Sequence, residues 1–209
     1  MDLPRASTSY LRERLAATCL PADPACIGET VARDLPGGFR SVLPAQLVAA
    51  GVLIPIVERA NELSVLFTQR SAGLKHHAGQ ISFPGGRMEP GDSDIRWTAL
   101  RETQEEIGIA PDNIEVIGAL EPMPTITGYV VTPVVGLVIG DFRLRIDPIE
   151  VAGVFEVPLE FLLDEQNQRL STREFEGVQV PVLEYQFESY RIWGATASML
   201  RSLGTALKI

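Results

Sequence analysis

One amphipathic helix, flanked by runs that read as strands, constrains this chain more than any other segment. Its expected N-cap is Asp92 or Ser93, its last residue about Ile107 and its stop Gly108. On a helical wheel with Glu102 at zero, Glu106 falls at about +40° and Glu105 at about −60°, with Leu100 and Ile107 roughly opposite. One face is therefore apolar and packs on a sheet, while the other carries Glu102, Glu105 and Glu106 at i, i+3 and i+4. Three carboxylates so close repel one another. A solvated acidic surface tolerates that repulsion. A hard divalent cation such as Mg²⁺, which takes oxygen ligands, neutralises it.

The rest of the chain supplies the sheet. LVAAGVLIPIVE from residue 47 reads as a buried strand, Asn61-Glu62 as a turn, and LSVLFTQR as a second strand. SAGLKHHAGQ is a loop, and ISF a short strand ended by Pro84-Gly85-Gly86. After the helix, NIEVIGAL, GYVVTPVVGLVI and VAGVFEVP are strand-like, and Pro158 opens the short helical piece LEFLLDE. REFEGVQVPVLEYQF and SYRIWG read as two further strands before a terminal helix at 195–207. Short β-rich runs with two or three helices give an α/β (α+β) class. Residues 7–18 read as a helix with Leu11, Leu15 and Tyr10 inward, and residues 20–45 as a Pro-, Gly- and Ala-rich arm. The expected division is thus 1–45, a helix and connecting arm, and 46–209, the compact domain.

Composition narrows the class. Eighteen Lys and Arg against 27 Asp and Glu leave a net charge of −9, which argues against nucleic-acid or membrane-surface binding. With two cysteines, Cys19 and Cys26, and two histidines, His76 and His77, no zinc cluster can be assembled, and the cysteines read as free thiols in a reducing compartment. MDLPRASTSYLRERLAAT has no long apolar run, and the apolar runs at 47–57 and 129–139 are of strand length. These features predict a cytoplasmic protein. Trp97 and Trp193 read as packing residues rather than base-stacking platforms.

The segment from Gly86 through RMEPGDSDIRWTAL to Arg101-Glu102-Thr103-Gln104-Glu105-Glu106-Ile107-Gly108-Ile109 resembles the Nudix hydrolase signature. Arg101, Glu102, Glu105, Glu106, Gly108 and Ile109 fit it. Thr103 stands at the usual aliphatic position, the loop after Gly86 is one residue longer than the general pattern, and the early acid is Asp92 or Glu89. Upstream, LFTQRSAGLKHHAGQISFPGG from Leu66 to Gly86 resembles the extra motif of the coenzyme A pyrophosphatase branch. Arg70, Ser71, Gly79 and Phe83 to Gly86 fit; Phe67 stands for a Leu and Lys75 for an Arg. Three later stretches are similar to that branch: Thr127 to Pro133, Glu150 to Leu159 and Tyr190 to Ala197.

The resemblance implies a Nudix-type α/β/α sandwich with a mixed sheet. It also implies hydrolysis of the diphosphate of coenzyme A, or a derivative, to 3′,5′-ADP and 4′-phosphopantetheine or its acyl form. The alternatives are another nucleoside diphosphate such as ADP-ribose, and a catalytically silent nucleotide-binding module. The implied cofactor is Mg²⁺ or Mn²⁺. Glu102 and Glu106 are its principal ligands, Glu105 completes a second metal position or orients a ligand water, and the Gly86 carbonyl faces a metal. Arg101 either binds phosphate or holds a glutamate of the motif in its rotamer. Glu150 is the downstream candidate for the general base and Glu121 a weaker one. Arg70, Ser71 and Lys75 face the nucleotide half of the substrate. His76 and His77 either donate to phosphate or are simply exposed. The implied partner is a small-molecule nucleotide, and the family allows a homodimer.

Overall fold

The computed structural model describes residues 7–18, 43–60, 62–74, 77–175 and 177–208. Its centre is β1 (Val48–Arg59), which runs parallel to β7 (Tyr129–Val138) from the Val48↔Tyr129 pair to Val57↔Val138. On its other edge β1 changes partner. Residues 50–52 pair antiparallel with β4 (Gly85–Arg87), and residues 56–59 with β2 (Glu62–Arg70). Pro55 falls in the gap between them. Leu53 donates its N–H to Pro84 on that edge, so the N–H that Pro55 lacks would point where no ladder bond is due.

The remaining strands extend this eight-stranded mixed sheet. β3 (Ile81–Ser82) and β8 (Val151–Pro158) pair with β2, and β5 (Ile114–Ala119) and β6 (Met123–Pro124) with β7. The alternation of β1 and β2 divides the core. Leu53, Val57 and Leu66 face α2 (Ile95–Ile107), whose Ala99, Leu100 and Ile107 are buried against them. Ile54, Ile56, Val65 and Phe67 face the other way. There they meet α1 (Thr8–Leu15), α3 (Leu159–Leu163), α4 (Ala195–Leu207) and a second sheet of β9 (Gln168–Phe175), β10 (Val178–Phe187) and β11 (Tyr190–Trp193). Helices thus cover both faces of a mixed sheet, the expected α/β/α arrangement.

Three sequence expectations change. The run 173–187 is not one strand: Gly177, at φ +80°, turns it back on itself, so that 168–175 pairs with 178–185. Gly85 and Gly86 do not merely end a strand but belong to β4. The N-cap of α2 is Asp94, which accepts from the Trp97 N–H at 2.8 Å, because Asp92 is engaged elsewhere.

The N-terminal helix joins the same core. Ser7 caps it, and Leu11 and Leu15 are fully buried. Arg12 forms a two-pronged pair with Glu115 on β5, at 2.8 Å for each contact. The Tyr10 hydroxyl donates to the Leu207 carbonyl at the end of α4. Both cysteines and the arm up to residue 42 lie outside the described residues. Among the described residues no helix is long and apolar enough to cross a membrane.

Candidate functional site

Helix α2 reaches the sheet because glycines let it. A Cβ on Gly51 would lie 2.5 Å from the Ile95 carbonyl oxygen, and one on Gly86 would lie 2.5 Å from the carboxyl carbon of Glu102. The Glu102 carboxylate therefore rests directly on the β4 backbone. At the far end, Gly108 takes the left-handed conformation (φ +78°) and donates to Gln104 at 3.0 Å. The Glu106 and Ile107 carbonyls accept from Asp147 and Arg145, each at 2.9 Å, which ties the 139–150 loop to the helix end.

Arg101 is fully engaged. Its Nε and Nη2 bond Asp92 at 2.9 and 3.1 Å, its Nη1 bonds Glu102 at 2.9 Å and Glu105 at 3.0 Å, and Nη2 also donates to the Arg87 carbonyl at 3.3 Å. Asp92 accepts as well from Thr98 Oγ1 and the Glu89 N–H, both at 2.9 Å, and its side chain is 2% exposed. The hydrogen bond from Arg101 holds the Asp92 carboxyl down at about 2. All the N–H groups of Arg101 are so occupied, two of these bonds going to glutamates of the motif. Thr98 and Gly51 were not anticipated. Thr98 lies three residues before Arg101 on the same helical face, the spacing that would have marked it.

Glu106 is the most unusual side chain of the helix. It is 3% exposed, its Oε2 has no hydrogen-bond partner, and burial pushes its carboxyl up to about 8. The charge of Arg70 and the Gly85 N–H oppose that rise, whereas Glu102 and Glu150 add to it. Burial also raises Glu102, against the hydrogen bond from Arg101. Glu105 meets Glu102 at Arg101, whose Nη1 bonds both carboxylates. The Glu105 side chain is 59% exposed, whereas Glu106 is buried. Among the described residues no three metal-ligating side chains form a closed cluster.

A bulge brings the downstream acid in. Gln69 pairs with Gly153 but Arg70 with Val151, so Ala152 is extra and Val151 turns toward α2 beside Val154. Ser71 then donates its N–H to the Glu150 carbonyl at 2.8 Å. The charge of Glu150 acts on both Glu102 and Glu106. Glu121 is exposed, between β5 and β6. Lys75 and His76 lie outside the described residues; His77 is exposed and bonds Gln80 at 2.9 Å. Trp97 does not pack as expected: it is 43% exposed, on the first turn of α2. Trp193 packs under the guanidinium groups of Arg173 and Arg191, at 4.4 and 5.6 Å.

Residues 47–197, most of the chain, match the family model of the NUDIX domain. The chain belongs to the Nudix hydrolases. Nudix hydrolase NudL of Citrobacter koseri is 41% identical over 160 residues, covering 77% of this chain and 83% of the relative. NudL of Photorhabdus laumondii is 39% identical over 160 residues, covering 77% and 85%. Among solved structures, a Nudix hydrolase from Alicyclobacillus acidocaldarius is 17% identical with a TM-score of 0.49, covering 78% of this chain and 93% of that one. The protein is therefore an enzyme, a hydrolase of nucleoside diphosphate derivatives. Nudix hydrolases generally work with a divalent metal ion, and this site fits one. Glu106 keeps an orphaned, buried oxygen, and with no Cβ on Gly86 the Glu102 carboxylate lies directly against the β4 backbone.

Proposed function

We propose that this Nudix hydrolase cleaves the diphosphate of coenzyme A or its derivatives, releasing 3′,5′-ADP and 4′-phosphopantetheine or its acyl form. The observation that carries the reading is the segment from Leu66 to Gly86, which resembles the coenzyme A pyrophosphatase branch. It runs through β2, β3 and β4, so its Arg70 and Ser71 lie beside Glu150 and its Gly86 under Glu102. Coenzyme A carries a 3′-phosphate besides its diphosphate. In a chain of net charge −9, such a ligand needs local bases, and Arg70 and Lys75 of this segment supply them.

The ion, Mg²⁺ or Mn²⁺, is held by Glu102 and Glu106, with Glu105 and the Gly86 carbonyl contributing. When bound, it screens the charge of the diphosphate and acidifies a bound water. The chain does the rest. Asp92 and Thr98 fix Arg101, and Arg101 keeps the Glu102 carboxylate on the β4 backbone. Glu150, held by Ser71 and by the loop bonded to the end of α2, receives the proton of the attacking water.

Incubating the purified protein with Mg²⁺ or Mn²⁺ and a panel of CoA, acetyl-CoA, ADP-ribose, NADH and diadenosine tetraphosphate tests this. Preferential release of 3′,5′-ADP is expected. Faster turnover of ADP-ribose than of any CoA compound would refute the substrate assignment.

A further inference from the structure

We infer that Arg70 is a catalytic residue that grips the scissile diphosphate itself, at a non-bridging oxygen of the phosphorus under attack, rather than the distal nucleotide. The inference deepens the diphosphatase reading of this site and does not depend on the choice of coenzyme A. Alternation along β2 puts Arg70 on the face of Leu66, which packs with Ala99 and Leu100 of α2. The bulge sets Val151 opposite Arg70, and Ser71 bonds the Glu150 backbone. Arg70 thus emerges between Glu150 on the loop and Glu106 on the helix.

Its bonding is the opposite of Arg101's. Among the described residues the Arg70 side chain has no hydrogen-bond partner and no ion pair, and its Nε is sealed from solvent without an acceptor. Glu106 nearby keeps an oxygen without a donor, and no ion pair joins the two. A buried guanidinium nitrogen and a buried carboxylate oxygen, each unsatisfied, are costly. What satisfies both must bring an acceptor to Arg70 and a cation to Glu106. A diphosphate with its counter-cation brings the two together.

In the reaction the water oxygen forms a bond to one phosphorus. The bridging P–O bond breaks, its electron pair stays on the bridging oxygen, and the water proton passes to Glu150. Negative charge is redistributed over the phosphoryl oxygens on the way, and a guanidinium already oriented toward them lowers that barrier.

The test uses Arg70→Ala and Arg70→Lys in the full chain, with whichever substrate of the panel the wild type turns over best. Arg70→Ala is expected to lower kcat about a hundredfold, with Lys recovering only part of it because it lacks the planar fork. Added methylguanidine should restore activity to Arg70→Ala and not to the wild type. By calorimetry, methylenediphosphonate should bind Arg70→Ala about tenfold more weakly, while Mn²⁺ affinity stays unchanged. A wild-type kcat in Arg70→Ala overturns the inference. So does lost Mn²⁺ affinity with unchanged diphosphonate binding, which would make Arg70 a support for Glu106. If ADP-ribose proves the better substrate, the coenzyme A reading fails, and these outcomes still decide the role of Arg70.

Discussion

The two faces of the large sheet follow opposite rules. Toward α1, α3 and α4 the interior is a continuous apolar cluster from Leu11 and Leu15 through Phe67 to Leu200 and Leu203. Its best-paired charges, such as Arg12 with Glu115, stay at the rim. Toward α2 the apolar cluster is smaller, and the helix also carries carboxylates inward over bare glycine backbone. The first face gains stability from buried area. The second gives up some of that gain to hold charges in fixed positions, the pattern expected where groups must meet a ligand rather than each other.

Substitutions on the two faces should therefore separate turnover from stability. The largest effect is expected for Glu106→Gln, which keeps the shape but not the charge: turnover should fall roughly a thousandfold or more, with an unchanged circular dichroism spectrum. A rate near wild type would remove Glu106 from the metal site. Gly86→Ala pushes a methyl into the Glu102 carboxylate. It should cost about a hundredfold in kcat through misplacement alone, with a smaller loss in thermal midpoint. Leu11→Ala, on the other face, should reverse the pattern. Denaturant titration should read a loss of roughly 2–5 kcal/mol, with kcat intact. If activity falls with it, the two faces are not separable.

The last effect is a slope. Without a divalent cation, Glu106 holds its proton to about pH 8, whereas the unfolded chain releases it near the ordinary 4.5. The native state binds more protons between those values. Stability should therefore fall as pH rises through that window, by at most about 1.4 kcal/mol per pH unit, and level off above it. Glu106→Gln should flatten the slope, as should saturating Mg²⁺, which favours the charged carboxylate. A slope that survives Glu106→Gln would assign it to another group.

The α2 helix was legible because its signals are local. The 3.6-residue period, the αL glycine at its end and the strand-like runs around it all operate within a few residues. The errors were local as well. Asp92 and Asp94 are equally good caps by type, and only the arginine nine residues beyond Asp92 decides between them. Gly177 in an apolar run marks a hairpin, but the β-rich residues on either side mask it. Wheel geometry put three acids on one face and could not say that Glu106 is buried while Glu105 stays exposed.

By itself the sequence determined the helix, its acidic face, the glycines at 85 and 86 and the family to which they belong. These depend on backbone conformation and short-range spacing. Only the tertiary structure decided which charges are satisfied. Arg101 meets Asp92 across a loop, Arg70 meets no hydrogen-bond partner among the described residues, Glu150 arrives through a bulge on another strand, and Glu106 is buried. Burial and electrostatic pairing are properties of neighbours in space. The contrast between the two arginines, one bonded to three carboxylates and one without a hydrogen-bond partner among the described residues, is therefore written in the fold and not in the motif.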